Sequence, residues 1–341
     1  MTYILVTGGL GFIGSHTIIE LSQENYKIII IDNFVNSSKD VLQKIEDITN
    51  RRDILFFNID IRDSLKLENL FTDYKIGLVI HFAALKSVSE SIKNPIKYYD
   101  CNVCGTINLL NVMNKFDCKK IVFSSSATVY GDNVYPVNEN STIGKDITNP
   151  YGMTKYMIEQ ILQDLYISNN DWSITILRYF NPIGAHPSGL LGENPNDTPN
   201  NLFPYLLKVS IGKLPLLNIF GNDYDTPDGT CIRDFIHVVD LARGHVKAIK
   251  QIFNLEQNTK IHIYNLGTGK GTSVKELIDT FEKVNNVKLA YNFVKRRDGD
   301  LSCVYTKTNK SLTELDWTCV YNVEDMCKHG FNFIKNNFNF S

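Results

Sequence analysis

The chain has 341 residues, 43% of them hydrophobic, enough for two domains or one large one with a substantial core. Its 35 basic and 37 acidic residues are dispersed and leave a net charge of −2, which excludes a basic stripe for nucleic acid and a cationic helix for a membrane surface, so a small molecule is the expected partner. No apolar run approaches 18 residues and residue 3 already opens a core strand, so a soluble, cytoplasmic protein is expected, with its seven cysteines kept as reduced thiols.

The first element in chain order is an apolar run, Tyr3-Ile4-Leu5-Val6, that reads as a buried parallel strand. It leads into Thr7-Gly8-Gly9-Leu10-Gly11-Phe12-Ile13-Gly14 and then a helical pattern from Phe12 to Leu21. Glycines placed where a strand turns into a helix let backbone N–H groups approach a pyrophosphate, which a Cβ would block. The second strand, Lys27-Ile28-Ile29-Ile30-Ile31-Asp32, ends in a carboxylate near the offset of about 20 residues that suits an adenosine ribose. A carboxylate there repels a 2′-phosphate, so NAD is expected rather than NADP.

Further strands are read at Ile54–Phe57, Leu78–Phe82, Lys120–Ser124, Ser173–Tyr179 and Ile261–Leu266, separated by helical stretches. Alternating β and α segments with two-sided apolar strands indicate an α/β fold: a doubly wound, parallel Rossmann-type sheet with a smaller C-terminal α/β substrate domain. Cys101-Asn102-Val103-Cys104 lies in a helical pattern from Tyr98 to Lys115; with no second CxxC or His pair it reads as buried helix cysteines, and no metal site is expected. From Pro182 to Asn201 the chain is rich in Gly, Pro, Asn and Ser without periodicity, which reads as a lid over the site. Helices are expected at Leu202–Ile211, Asp240–Phe253 and Ser273–Val284.

Tyr151 and Lys155 follow Asn149-Pro150, an N-cap residue and a proline suited to the first helical position, so both side chains fall on one face of a helix. A phenol is a poor base at neutral pH; lowering its pKa by three units takes roughly 4 kcal/mol, which a neighbouring ammonium and an oxidised nicotinamide are expected to supply together. Ser124-Ser125-Ser126-Ala127-Thr128-Val129-Tyr130-Gly131 follows the fifth strand, so its hydroxyls emerge at the ligand edge of the sheet.

These residues resemble the extended short-chain dehydrogenase/reductases and, within them, the UDP-glucose (UDP-galactose) 4-epimerases. The resemblance runs to about residue 335 and rests on Gly-Phe-Ile-Gly-Ser-His at 11–16, His-Phe-Ala-Ala-Leu-Lys at 81–86, Phe-Ser-Ser-Ser-Ala-Thr-Val-Tyr-Gly at 123–131, Leu-Arg-Tyr-Phe-Asn-Pro at 177–182, Gly-Ala-His-Pro-Ser-Gly at 184–189 and Asp-Gly-Thr-Cys-Ile-Arg-Asp-Phe-Ile-His-Val at 228–238. It implies that Ser126, Tyr151 and Lys155 are catalytic. Around NAD it implies Gly8, Gly11, Phe12, Ile13, Gly14, Asp32, Asn33, Asn36, Ser37, Asp60, Ile61, Phe82, Ala83, Lys86 and Phe180, with Tyr151 and Lys155. For the UDP-sugar it implies Lys86, Ser126, Tyr151, Asn181, Asn201, Leu202, Asn218, Phe220, Arg233, Arg297 and Asp300, the arginines pairing the diphosphate. Val304, four residues beyond Asp300, is implied to line the sugar pocket; lacking a bulky ring, it implies room for a 2-acetamido group as well as for plain hexoses.

Two positions depart from the family pattern: Cys101 stands where some members carry an NAD-contacting Asn, and Phe235 where a Tyr often sits. Dehydratases of the same family place acidic residues just after the catalytic hydroxyl, where this chain has Ala127 and Thr128. An epimerase of uronic sugars and a non-catalytic NAD-sensing module are the alternatives, the latter disfavoured because Tyr151 and Lys155 are both present. The resemblance further implies a homodimer packed through the helices near Tyr98–Lys115 and Tyr151–Ser168. The change of composition at Asn181 and the later strand are expected to divide the chain into an NAD-binding domain at 1–180, to which 235–266 returns, and a nucleotide-sugar-binding domain at 181–234 and 267–341.

Overall fold

A computed structural model describes residues 2–195, 199, 201–254, 260–297 and 299–338. Seven parallel strands form the central sheet, in the order Ile261–Leu266, Ser173–Tyr179, Lys120–Ser126, Ile76–His81, Tyr3–Thr7, Lys27–Asp32, Leu55–Asn58. All seven were expected from the sequence, within two residues at each end. Because side chains alternate along a strand, each strand feeds two cores. Ile4, Val6, Ile28 and Ile30 pack with Ile18 and Leu21 of the Phe12–Gln23 helix and with Leu241 and Ile249 of the Val238–Asn254 helix. Leu5, Ile29, Ile31 and Val79 pack on the other face with Leu67, Leu109, Met113, Ile158 and Leu162 from the Ser64–Asp73, Gly105–Lys115 and Pro150–Ser168 helices.

A third core, around Phe203, Leu206, Phe281, Met326 and Phe331, lies outside the sheet and joins the Leu202–Ser210, Val274–Asn285 and Val323–Asn337 helices. The Val274–Asn285 helix begins with a full capping box, Ser273 accepting from the Glu276 backbone and the Glu276 side chain accepting from Ser273. Three small sheets accompany this core: Asn181–Ile183 with Phe235–His237, Leu217–Phe220 with Tyr291–Val294, and Ile232–Arg233 between Thr272–Ser273 and Cys303–Val304. Strands of two to four residues carry too little alternation to be read from a sequence.

Two expectations need correction. The pattern from Tyr98 to Lys115 is not one α-helix, since Tyr99–Cys104 widens into π-helical turns before the α-helix Gly105–Lys115. Asn102 and Val103 are buried there, and the cysteines are not: Cys101 is half-buried and Cys104 exposed, both as free thiols. The segment read as a lid begins with the Asn181–Ile183 strand, and its Ala185 and Gly192 pair in an antiparallel bridge; residues 196–198 and 200 of it lie outside the described residues.

Candidate active site

The strand order reverses at Tyr3–Thr7, which has Lys27–Asp32 on one side and Ile76–His81 on the other, and the crevice beyond such a switch point is where parallel sheets bind ligands. A cleft of about 1350 Å³ opens there and is lined by every catalytic, cofactor-side and substrate-side residue expected from the sequence, and by Cys101 and Phe235. Gly8 sits at φ +65°, and a Cβ on it would stand 2.8 Å from the Ala83 nitrogen; a Cβ on Gly14 would stand 2.6 Å from the Gly8 carbonyl oxygen. The loop is therefore drawn in tightly enough that only glycine fits, which is the cradle a pyrophosphate requires. Gly11 caps the Phe12–Gln23 helix without a side-chain bond, so the helix N-terminus offers its donors and partial positive charge to an anion.

Asp32 is fixed at the end of its strand by three donors: the Leu10 N–H at 3.1 Å, the Phe34 N–H at 2.9 Å and the Ser37 hydroxyl at 2.7 Å. Asn33 donates to Asp60 at 2.8 Å, and the Arg62 guanidinium beside Asp60 holds that carboxyl well below its usual range. The residues present fit a dinucleotide, with Asp32 placed for the adenosine ribose and the glycine loop for the phosphates.

On the far side of the crevice, Asn149 caps the Pro150–Ser168 helix by accepting from the Gly152 N–H at 2.8 Å, which puts Tyr151 and Lys155 in its first turns. Tyr151 borders the cleft together with Ser126, which ends the Lys120–Ser126 strand and whose hydroxyl accepts from the Thr128 N–H at 3.2 Å. Burial raises the Tyr151 pKa and the nearby Ser126 hydroxyl opposes the rise. Lys155 is only 3% exposed, donates to the Ser124 carbonyl at 2.7 Å and lies 6.0 Å from the centre of the Tyr151 ring. Desolvation pushes its pKa down to about 7. In the protein without cofactor the Lys155 ammonium is directed at the Ser124 carbonyl and burial dominates at Tyr151; the expected lowering of the phenol relies on the ammonium and an oxidised nicotinamide acting together.

Around the rest of the cleft, Arg233 donates to the Leu301 carbonyl at 2.9 Å and stands 3.8 Å from Asp300, while Arg297 stands 3.3 Å from the same carboxylate and 4.5 Å over the Phe220 ring. Two arginines converging on one carboxylate give a cationic pair beside an aromatic face, a geometry suited to a diphosphate next to a planar base. Val304 lines the cleft, whereas Tyr305 stacks on Tyr135 with ring centres 6.5 Å apart.

Sequence reasoning missed a buried polar network beneath the catalytic strand. Glu159, one turn after Lys155, binds Arg178 at 2.7 Å and accepts from Ser125; Arg178 in turn donates to Tyr130 at 2.9 Å. Tyr130 continues to Asn265 at 2.7 Å, and Asn265 to Thr306 at 2.9 Å. An arginine inside a strand read as buried was the available signal, since a buried charge has to be paired.

A cradle for a dinucleotide sharing one cleft with Ser126, Tyr151 and the buried Lys155 is built to move hydride and proton at one carbon, and the chain matches the model of the NAD dependent epimerase/dehydratase family over residues 4–267. The protein belongs to that family, and its cofactor is NAD. Among its relatives, the UDP-glucose 4-epimerase of Bacillus subtilis (strain 168) is 49% identical over 337 residues, 98% of each chain. The crystal structure of UDP-glucose 4-epimerase from Bifidobacterium longum in complex with NAD+ and UDP superposes with a TM-score of 0.94 at 46% identity, covering 98% of this chain and 99% of that one. The UDP-Glc/GlcNAc 4-epimerase from Campylobacter jejuni superposes with a TM-score of 0.83 at 36% identity, covering 98% of this chain and 100% of that one.

Proposed function

We propose that the protein inverts C4 of a UDP-hexose, interconverting UDP-glucose and UDP-galactose by transient oxidation to a 4-keto sugar. The observation that carries this reading is the meeting of Ser126, Tyr151 and Lys155 with the glycine cradle in one cleft. When bound, the nicotinamide supplies a reversible hydride acceptor for C4. Tyr151, as phenolate, takes the 4-hydroxyl proton and returns it after the sugar has turned over. Ser126 holds the 4-oxygen against Tyr151. Lys155, anchored on the Ser124 carbonyl, holds the cofactor ribose. Arg233 and Arg297 grip the diphosphate, so the sugar alone is free to rotate.

The small Val304 side chain, with Tyr305 stacked away on Tyr135, supports a wider sugar range that includes UDP-N-acetylglucosamine and UDP-N-acetylgalactosamine. The likeness to a neighbour named for both Glc and GlcNAc points the same way. The chain works as a cytoplasmic homodimer; among the described residues no helix is long and apolar enough to cross a membrane. The return of Ile261–Leu266 to the sheet and the separate core around Phe203 and Phe281 support the division into 1–180 with 235–266, and 181–234 with 267–341. The test is incubation with UDP-galactose and with UDP-N-acetylglucosamine, followed by chromatographic analysis of the products. No conversion of UDP-galactose ends the epimerase reading.

A further inference from the structure

Glu193 lies in the segment that follows Asn181, far from Lys86 in sequence, yet its carboxylate meets the Lys86 ammonium at 2.6 Å, and both residues line the cleft. The Glu193 side chain is 10% exposed and that of Lys86 43%, so the pair is shielded on the Glu193 side and open on the other.

Both ends of this bridge are anchored. Leu85, just before Lys86, donates to Asn102 at 2.8 Å and accepts from it at 3.0 Å, and Asn102 also donates to Thr154 at 3.0 Å on the catalytic helix. Just after Lys86, the Ser87 N–H is held by the Tyr98 hydroxyl at 3.0 Å. On the other side, Leu191 is buried in the main core and Gly192 lies so close to Phe333 that a Cβ would stand 2.6 Å from its ring. Ala185 bridges Gly192, and the Leu191 carbonyl accepts from the His186 N–H at 2.8 Å. An ion pair between two pre-ordered segments forms at little entropic cost, and it ties the loop beside the glycine cradle to the Leu191–Glu193 segment.

We propose that Glu193 is a positioning residue that straps Lys86 across the mouth of the cleft and so retains the dinucleotide between catalytic cycles. This inference rests on the reading of the cleft as an NAD site. The strap is electrostatic and partly open to solvent, so it weakens with salt.

The experiment follows release of NAD from the purified holoprotein, as nucleotide lost at timed intervals through a desalting column, for wild type, Glu193→Gln and Glu193→Ala, at low and high sodium chloride. Wild-type release is expected to quicken with salt. Both variants are expected to release NAD roughly tenfold faster than wild type at low salt, the size of one partly shielded charge-assisted hydrogen bond, and to lose most of the salt response. A general structural role would instead lower the unfolding midpoint of the nucleotide-free variants and leave the salt response of release unchanged, which overturns the proposal. Release from the variants as slow as from wild type, or slower, overturns it as well. A wild-type protein that carries no NAD overturns the strap and the cofactor reading together, whereas tight retention in wild type and variants alike removes the strap alone.

Discussion

Replacing Lys155 with methionine is expected to stabilise the nucleotide-free protein while destroying its activity. The Lys155 ammonium is 3% exposed, and desolvation pushes its pKa from 10.5 down to about 7. Between those values the unfolded chain keeps a proton that the native state has released, so wild-type stability rises with pH across that window. At about 1.4 kcal/mol per pH unit, the burden on the native state at pH 7 is roughly 4–5 kcal/mol. Methionine removes that burden but forfeits the bond to the Ser124 carbonyl and the contact with the Phe123 ring at 4.9 Å, together about 1–2 kcal/mol. A net gain of about 2–4 kcal/mol at pH 7 remains, and it should shrink by about 1.4 kcal/mol per unit between roughly pH 7.5 and 10. Urea unfolding of nucleotide-free wild type and Lys155→Met at four pH values measures it. A difference that stays flat, or grows toward alkaline pH, refutes the burial argument.

Tyr151→Phe is expected to lower turnover by about 10²–10⁴-fold while leaving UDP affinity by calorimetry unchanged, since it removes the general base and not the arginines of the diphosphate site; near wild-type turnover would take the phenolate out of the mechanism. Gly14→Ala places a Cβ 2.6 Å from the Gly8 carbonyl oxygen, so the cradle must open and the purified protein should lose the NAD that wild type carries, as read from the nucleotide released on denaturation. Val304→Tyr is expected to abolish conversion of UDP-N-acetylglucosamine while sparing UDP-galactose, and equal loss of both would show that Val304 packs the fold instead of gating the sugar.

What could be read in advance was what is local along the chain. The glycine loop, the strand ending in Asp32 and the Asn149-Pro150 start that sets Tyr151 beside Lys155 each lie within a few residues, where spacing and capping chemistry act directly. Arg233, Arg297, Asp300 and Val304 came only through the resemblance, because they sit in loops and two-residue strands that leave no periodic trace. Partners distant in sequence escaped altogether: Glu159 with Arg178, Asn265 with Thr306, and Lys86 with Glu193 meet only once the sheet has formed. The π-helical turns at Tyr99–Cys104 escaped as well, since nothing in residue type distinguishes them from an α-helix.

The Ile261–Leu266 strand pairs with Ser173–Tyr179 after the chain has already built the Leu202–Ser210 helix and much of its surroundings. On the ribosome, every backbone group along the open side of Ser173–Tyr179 therefore waits for more than eighty further residues to be made before its neighbour arrives. An unpaired edge of such apolar composition is a template for association with other nascent chains. A chain broken before Ile261–Leu266 leaves that side of Ser173–Tyr179 without its partner strand, an exposed edge open to association with other chains.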